Sequence, residues 1–328
     1  MAYDLTNTLV IGISSTALFD MQESDNLFKE FSSENPESAI EKYRDYMFLH
    51  EDDELPPGTG LPLVEALLGL NKYKKESDIS PLVEVVVMSR NSPDTGLMVL
   101  NNIRKKGVNI TRSVFTGGET VVDYLEAFSV DLFLTTSIDD AQLVIDSKAC
   151  AVAILKEPPK ESIKYPQDQV RIAFDGDAVL FDESSEIVYK TKGIQTFHAQ
   201  ENAKQNEPLA EGPYALLLKK IARLQDRLPA TVDYSPVRIA LVTARNSPSE
   251  LRVIKTLRAW GVNVNEAFFL GGLEKTKVLK AFNPHIFFDD QDVHLEPASV
   301  FVPSGRVPYA SRSPLYQQIL SIKPTLTQ

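Results

Sequence analysis

A single cysteine, Cys150, leaves this 328-residue chain without an internal disulfide to form and fits a reducing compartment. No stretch approaches the roughly 20 apolar residues of a membrane span. The N-terminal "MAYDLTNTLVIGISS" lacks the basic start and apolar core of a secretory leader. Positive charge is in deficit: 34 Lys and Arg stand against 45 Asp and Glu, a net charge of -11, which argues against a general nucleic-acid binder with its basic face. A small anion remains compatible where a local cation overrides the overall field. Four histidines, His50, His198, His285 and His294, show no metal-ligand spacing, and no nucleophile elbow occurs. The expectation is a cytoplasmic globular protein with no membrane or nucleic-acid partner. Its length suits one large or two ordinary domains.

What the chain does have is a repeat. "EVVVMSRNSPDTGLMVLNNIRKKGVNITRSVFTGG" runs parallel to "RIALVTARNSPSELRVIKTLRAWGVNVNEAFFLGG". Arg90 to Pro93 match Arg245 to Pro248, and after a one-residue gap Gly107, Val108 and Asn109 match Gly261, Val262 and Asn263. Gly117 and Gly118 then match Gly271 and Gly272, and Ala127 with Phe128 match Ala281 with Phe282. Four identities in order, inside matching apolar frames, indicate a duplication.

Each copy alternates strand and helix. "RIALVTA" has the unbroken apolar character of a strand buried on both faces. Ser247 is expected to cap the next helix, with Pro248 at its first position, Glu250 completing a capping box and Gly261 closing it. "EAFFLGG" reads as a strand, "KTKVLKAF" as a helix and "PHIFFDD" as a strand; "RSVFTGG", "VVDYLEAF" and "VDLFLTT" repeat that order. This alternation predicts an α/β fold of two duplicated doubly wound, Rossmann-like parallel-sheet units, with ligands at the strand carboxyl ends. A linker near residues 156–169 divides a first unit, 1–160, from a second, 165–328. Insertions occupy residues 36–74 and 183–228, and the terminal "SIKPTLTQ" is expected to fray.

Charge separates the copies. In the second, Asp175 and Asp177 follow "RIAF", Thr243 ends "RIALV", Lys275 follows "FFLGG", and Asp289 with Asp290 ends "HIFF". The matching positions of the acids and the lysine in the first copy are taken as Ile13, Ser15, Val121, Thr135 and Thr136, all uncharged. An isolated aspartate is commonly a helix cap or a solvated strand end. Five charged residues present in one copy and absent from the other point instead to a ligand or a reaction.

"DGDAVLF", the Thr243 of "LVTAR", Lys275 and the "DD" of "IFFDD" resemble, in order, the four motifs of haloacid dehalogenase-type phosphatases. With "PLAEGP", "TLRAWG", "FLGG" and "PHIFFDDQ", nearly the whole chain is similar to the cytosolic 5′-nucleotidases of type I. The resemblance implies a haloacid dehalogenase-like second unit with a small cap at about 183–228, beside a first unit that lacks the acids. It implies Mg²⁺-dependent hydrolysis of nucleoside monophosphates through an aspartyl-phosphate. Asp175 would be the nucleophile and Asp177 the acid and base. Asp175, Asp177 through its carbonyl, Asp289 and Asp290 would supply the metal ligands. Gly176, Thr243, Ala244 and Lys275 would hold phosphate. A homo-oligomer is also implied. The phosphoryl motifs alone leave open a sugar phosphatase, and a nucleotide-binding regulator without catalysis is a third reading.

Arg245 and Asn246 recur as Arg90 and Asn91, so they read equally as structural or as substrate-binding residues. His294, just beyond "DDQD", is either a substrate contact or a solvated loop residue. "PPGTGLP" lacks the Lys and Ser or Thr of a triphosphate-binding loop and reads, like "EPLAEGP", as a turn at the mouth of a cap.

Overall fold

The computed structural model describes residues 4–166, 168–229, 231 and 234–322. Ten strands form its frame: β1 Leu9–Ile13, β2 Val83–Ser89, β3 Arg112–Phe115, β4 Leu132–Thr135, β5 Ala151–Leu155, β6 Val170–Phe174, β7 Val237–Thr243, β8 Glu266–Phe269, β9 Ile286–Asp289 and β10 Ser304–Arg306. They pair in one sheet, in the order β3-β2-β1-β4-β5-β10-β9-β6-β7-β8. The two units expected to carry a sheet each therefore share one. β5 and β10, neither of them read from the sequence, join the halves by pairing Gly305 with Leu155 and Arg306 with Ile154. Each satisfies what would otherwise be an open edge of the other.

Among the described residues the seam is the sheet's one antiparallel strand pairing. The carboxyl ends of β1–β5 consequently point to one rim of the sheet and those of β6–β10 to the other. Alternate residues of each strand face opposite sides. On one side Leu9, Ile11 and Ile13 continue into Ile172, Phe174 and Phe288 as a single apolar core. On the other side the core is divided, with Val10, Val86 and Phe133 in one cluster and Ala173, Val242 and Phe287 in another.

Several local expectations are corrected. The helix after β7 spans Glu250–Ala259, so Ser247 and Pro248, expected as its cap and first residue, lie in the turn before it, and Ser249 stands at the cap with its hydroxyl donating to the Asn246 carbonyl at 2.6 Å. "VVDYLEAF" forms only the turn Val122–Tyr124, whereas "KTKVLKAF" makes the helix Thr276–Phe282. The paired valines favour a helix less than Lys, Leu and Ala do. Of the terminal segment expected to fray, residues 323–328 lie outside the described residues, and the helix Pro314–Ile322 precedes them. No described helix is long and apolar enough to cross a membrane.

Residues 184–203, within the second insertion, form two helical arms broken at Gly193, whose φ of 77° and ψ of 172° are almost confined to glycine. The Ser185 hydroxyl donates to Glu201 Oε1 at 3.2 Å, although sixteen residues of straight helix would span about 24 Å. The arms therefore fold back on each other.

The turn after each leading strand is clamped by a glycine. Phe19 bridges Pro57 and Phe181 bridges Glu211. A Cβ on Gly58 would lie 2.6 Å from the Ala17 carbonyl oxygen, and one on Gly212 would lie 2.3 Å from that of Phe181. These glycines belong to "PPGTGLP" and "EPLAEGP", both structural turns. Gly212→Ala is expected to destabilise by about 1–3 kcal/mol, because backbone rather than a flexible side chain must give way. A urea midpoint equal to that of the wild type would refute the clamp.

On the rim opposite Asp175, His285 lies buried before β9, stacked on Tyr165 at 4.2 Å and accepting the Arg171 amide on Nδ1 at 3.1 Å. Burial depresses its pKa from 6.5 to about 4. Between these values the unfolded chain binds the extra proton, so stability is full above pH 6.5 and is lost as pH falls toward 4. Wild type should lose about 2 kcal/mol more than His285→Asn between pH 7.5 and pH 5. Parallel losses in urea titrations would exclude this role.

Candidate active site

Asp175 stands where β6 ends, its amide donating to the Phe288 carbonyl at 2.8 Å. Ser14 holds the same place after β1, donating to Leu134 at 2.9 Å. The counterpart of Asp175 is thus Ser14 and not Ile13, because the turn that follows has one more residue in "DGDAVLF" than in "SSTALF". The comparison keeps its sense, since Ser14 carries no charge.

Lys275, at the start of its helix, is 2% exposed. Its Nζ donates to Asp175 Oδ1 and to Asp289 Oδ2, both at 2.6 Å. The other Asp289 oxygen accepts the Gln291 amide at 2.8 Å. Asp290 accepts a hydrogen bond from the Tyr309 hydroxyl through Oδ2, while its buried Oδ1 has no hydrogen-bond partner among the described residues. Carboxylate oxygens of Asp175, Asp289 and Asp290 come within 4.8 Å of one another.

Burial dominates the titration of this cluster. It raises Asp175 to about 6 against the opposing pull of Lys275, and it raises Asp289 and Asp290 as well. Burial alone would depress Lys275, but Asp175 and Asp289 outweigh it and the net shift is upward. When all are ionised, three carboxylates against one ammonium leave two uncompensated negative charges. That deficit, an all-oxygen donor set and the orphaned Asp290 oxygen fit a divalent cation such as Mg²⁺.

Around the trio the other sequence-derived candidates divide. Thr243 is buried at the end of β7, and a Cβ on Gly176 would lie 3.3 Å from its hydroxyl. Ala244 is exposed beside it. Asp177 stands apart from the three clustered acids: Arg245 grips both its oxygens, Nε at 2.8 Å and Nη2 at 2.6 Å. Arg245 is itself 4% exposed and donates through Nη1 to Glu201 at 2.6 Å. Asn246 is exposed, with Oδ1 3.0 Å from His198 Nε2. In the first half, Arg90 pairs with Asp140 instead. His294, part-buried, senses the charges of Lys275 and Asp175 but is depressed mainly by burial.

Three residues here were not found from the sequence. Tyr309 follows the three-residue β10, and Glu201 lies in a helix with no clear apolar stripe. Glu186 is buried near the acids, paired with Lys190 at 2.6 Å, and its charge helps raise Asp289 and Asp290. Behind Tyr309 lies a cavity of about 640 Å³ lined by Val130, Asp131, Cys150, Ala178, Leu217 and Arg312 among others.

A family model described as 5′-nucleotidase matches residues 1–314. Human cytosolic 5′-nucleotidase 1B is 34% identical over 297 residues, which cover 89% of this chain and 47% of that protein. The chain thus spans about half the length of this relative. No solved structure matches it. A family match across the frame that carries the acids, joined to 34% identity over most of the sequence, places the chain in the 5′-nucleotidase family.

Proposed function

We propose that the chain hydrolyses nucleoside 5′-monophosphates to nucleoside and phosphate with Mg²⁺ as cofactor. The observation that carries the reading is the buried group of Asp175, Asp289 and Asp290 around Lys275, in a chain of the 5′-nucleotidase family whose human relative bears that activity in its name. Asp175, Asp289 and Asp290, with the Asp177 carbonyl, would hold the cation. When bound, it supplies positive charge between a carboxylate nucleophile and a phosphate dianion.

Asp175 would attack phosphorus, forming a carboxylate oxygen–phosphorus bond as the bond to the ribose oxygen breaks. Asp177 would give that oxygen a proton and then remove one from the water that hydrolyses the aspartyl-phosphate, which restores Asp175 and releases phosphate. Lys275, the Thr243 hydroxyl and the amides near Gly176 and Ala244 would hold the phosphoryl oxygens as charge shifts among them.

On the same reading, residues 1–160 are a degenerate copy of 165–328, and residues 183–228 form the cap of the second. Strand orders of 3-2-1-4-5 and 8-7-6-9-10, with a clamping glycine in each half, support this.

Phosphate release from AMP, IMP, pyrimidine monophosphates and ribose 5-phosphate tests the proposal. The nucleotides should react at least about ten-fold faster than the sugar phosphate, since a discriminating contact is worth about 1–3 kcal/mol. EDTA should stop all release. Preference for the sugar phosphate, or full activity in EDTA, would overturn the reading.

A further inference from the structure

Arg245 is where the core meets the insertion. Four charges alternate along one buried line, Arg252, Glu201, Arg245 and Asp177, with contacts of 2.8 Å, 2.6 Å and 2.6 Å. Glu201 is 1% exposed and belongs to the second helical arm, residues 194–203, while Asp177 belongs to the turn after β6. The Arg245 guanidinium also lies 6.0 Å from the ring of Phe181, beyond that turn, and 5.3 Å from the ring of Phe197, on the arm. A second contact joins the arm to the same loop, His198 to Asn246. The arms meet at Gly193, where an added Cβ would find nothing within 4 Å, so backbone conformation alone sets the bend.

From this geometry we infer that Glu201 and Arg245 form a latch through which the helical arm sets the position of Asp177, with Glu201 as a positioning residue. The inference rests on the reading of Asp177 as the acid that protonates the leaving group. If the arm moved alone, a buried guanidinium would keep only part of its compensation, and such a loss is strongly unfavourable. Arg245 and Asp177 therefore follow the arm. Insertions beside the carboxyl ends of an α/β sheet lie next to the ligand. A substrate that displaces the arm thus also aims the acid. In the first half Arg90 is 42% exposed in its side chain and pairs with Asp140, five residues past the end of β4, a partner that lies outside the insertion of that half.

Two variants and two substrates test the latch. Glu201→Gln removes the charge without changing shape, and Gly193→Ala strains an exposed bend without touching the core. AMP leaves as an alkoxide that needs a proton, whereas p-nitrophenyl phosphate leaves as a stable phenolate. With Mg²⁺ at saturating substrate, both variants should lose about ten-fold or more in kcat on AMP, since a general acid contributes about 10²–10⁴-fold. The loss on p-nitrophenyl phosphate should be several-fold smaller. Equal losses on both substrates, or an unchanged ratio, would overturn the latch. Hydrogen exchange decides it independently of turnover: Asp177→Ala should speed exchange of the amides in 194–203, and unchanged exchange refutes the coupling. A wild type without activity on either substrate would overturn the proposed function, and the exchange result would still decide the latch.

Discussion

Asp175→Asn is expected to reduce phosphate release by at least about 10³-fold while leaving the protein as stable as the wild type or more so. Removal of a covalent nucleophile commonly has effects of this size or larger. Stability should move the other way for an electrostatic reason. Asp175 is buried with two further carboxylates against one lysine, and burial raises its pKa to about 6. A neutral amide of the same shape can still accept the Lys275 hydrogen bond through its oxygen, and it removes one of two uncompensated charges. A purely structural aspartate would show the reverse, with stability lost and activity lost only in proportion. The measurements are phosphate release with Mg²⁺ and urea unfolding without it. More than a few per cent of wild-type turnover in this variant would remove Asp175 from the role of nucleophile.

Lys275→Met should have the largest effect on stability. The substitution keeps the bulk of the side chain and removes both 2.6 Å ion pairs, to Asp175 and to Asp289. Breaking a buried pair by deleting one partner costs about 3–5 kcal/mol, because the remaining charges stay desolvated. Urea unfolding in EDTA should show a loss of that order. Mg²⁺ should restore part of it, since a cation bound only by the folded state stabilises that state. Turnover should remain low even with Mg²⁺, because the ammonium is also the proposed partner of the phosphoryl oxygens. An unchanged midpoint in EDTA would mean that the three carboxylates do not depend on Lys275 for compensation.

The parts of this structure that could be read from the sequence are those encoded locally. β2, β6 and β7 each carry an apolar run after one charged residue, Glu84, Arg171 or Arg238, and the acids follow such runs directly. The seam could not be read this way. β10 is "SGR", three residues without a strand pattern, and it becomes a strand only because β5 and β9 lie on either side. The role of Arg245 was hidden for a related reason. Arg90 and Arg245 occupy the same motif, yet one meets Asp140 and the other meets Asp177 and Glu201, partners at least 44 residues away. The helical arms escaped notice because the Gly193 bend resets the phase of the helix, so no single apolar stripe runs through residues 184–203.

The antiparallel seam turns the carboxyl ends of the two halves in opposite directions along the sheet. The hydroxyls of Ser14, Thr135 and Thr136 lie at the carboxyl ends of strands that run against those bearing Asp175 and Asp289. Thr135 pairs with Ile154, Ile154 with Arg306 and Arg306 with Asp289, so Thr135 lies on the same row of the sheet as Asp289, three strands or about 14 Å away. The first half meets the rim that carries the acids along its amino-terminal edge, where Val130, Asp131 and Cys150 share a cavity wall with Tyr309, the residue bonded to Asp290, and through Gln142, which donates to the Tyr309 carbonyl at 3.1 Å, and Lys156, which pairs with Asp292 at 2.6 Å. Substitutions in the first half that alter turnover should therefore cluster along that wall and at these two contacts.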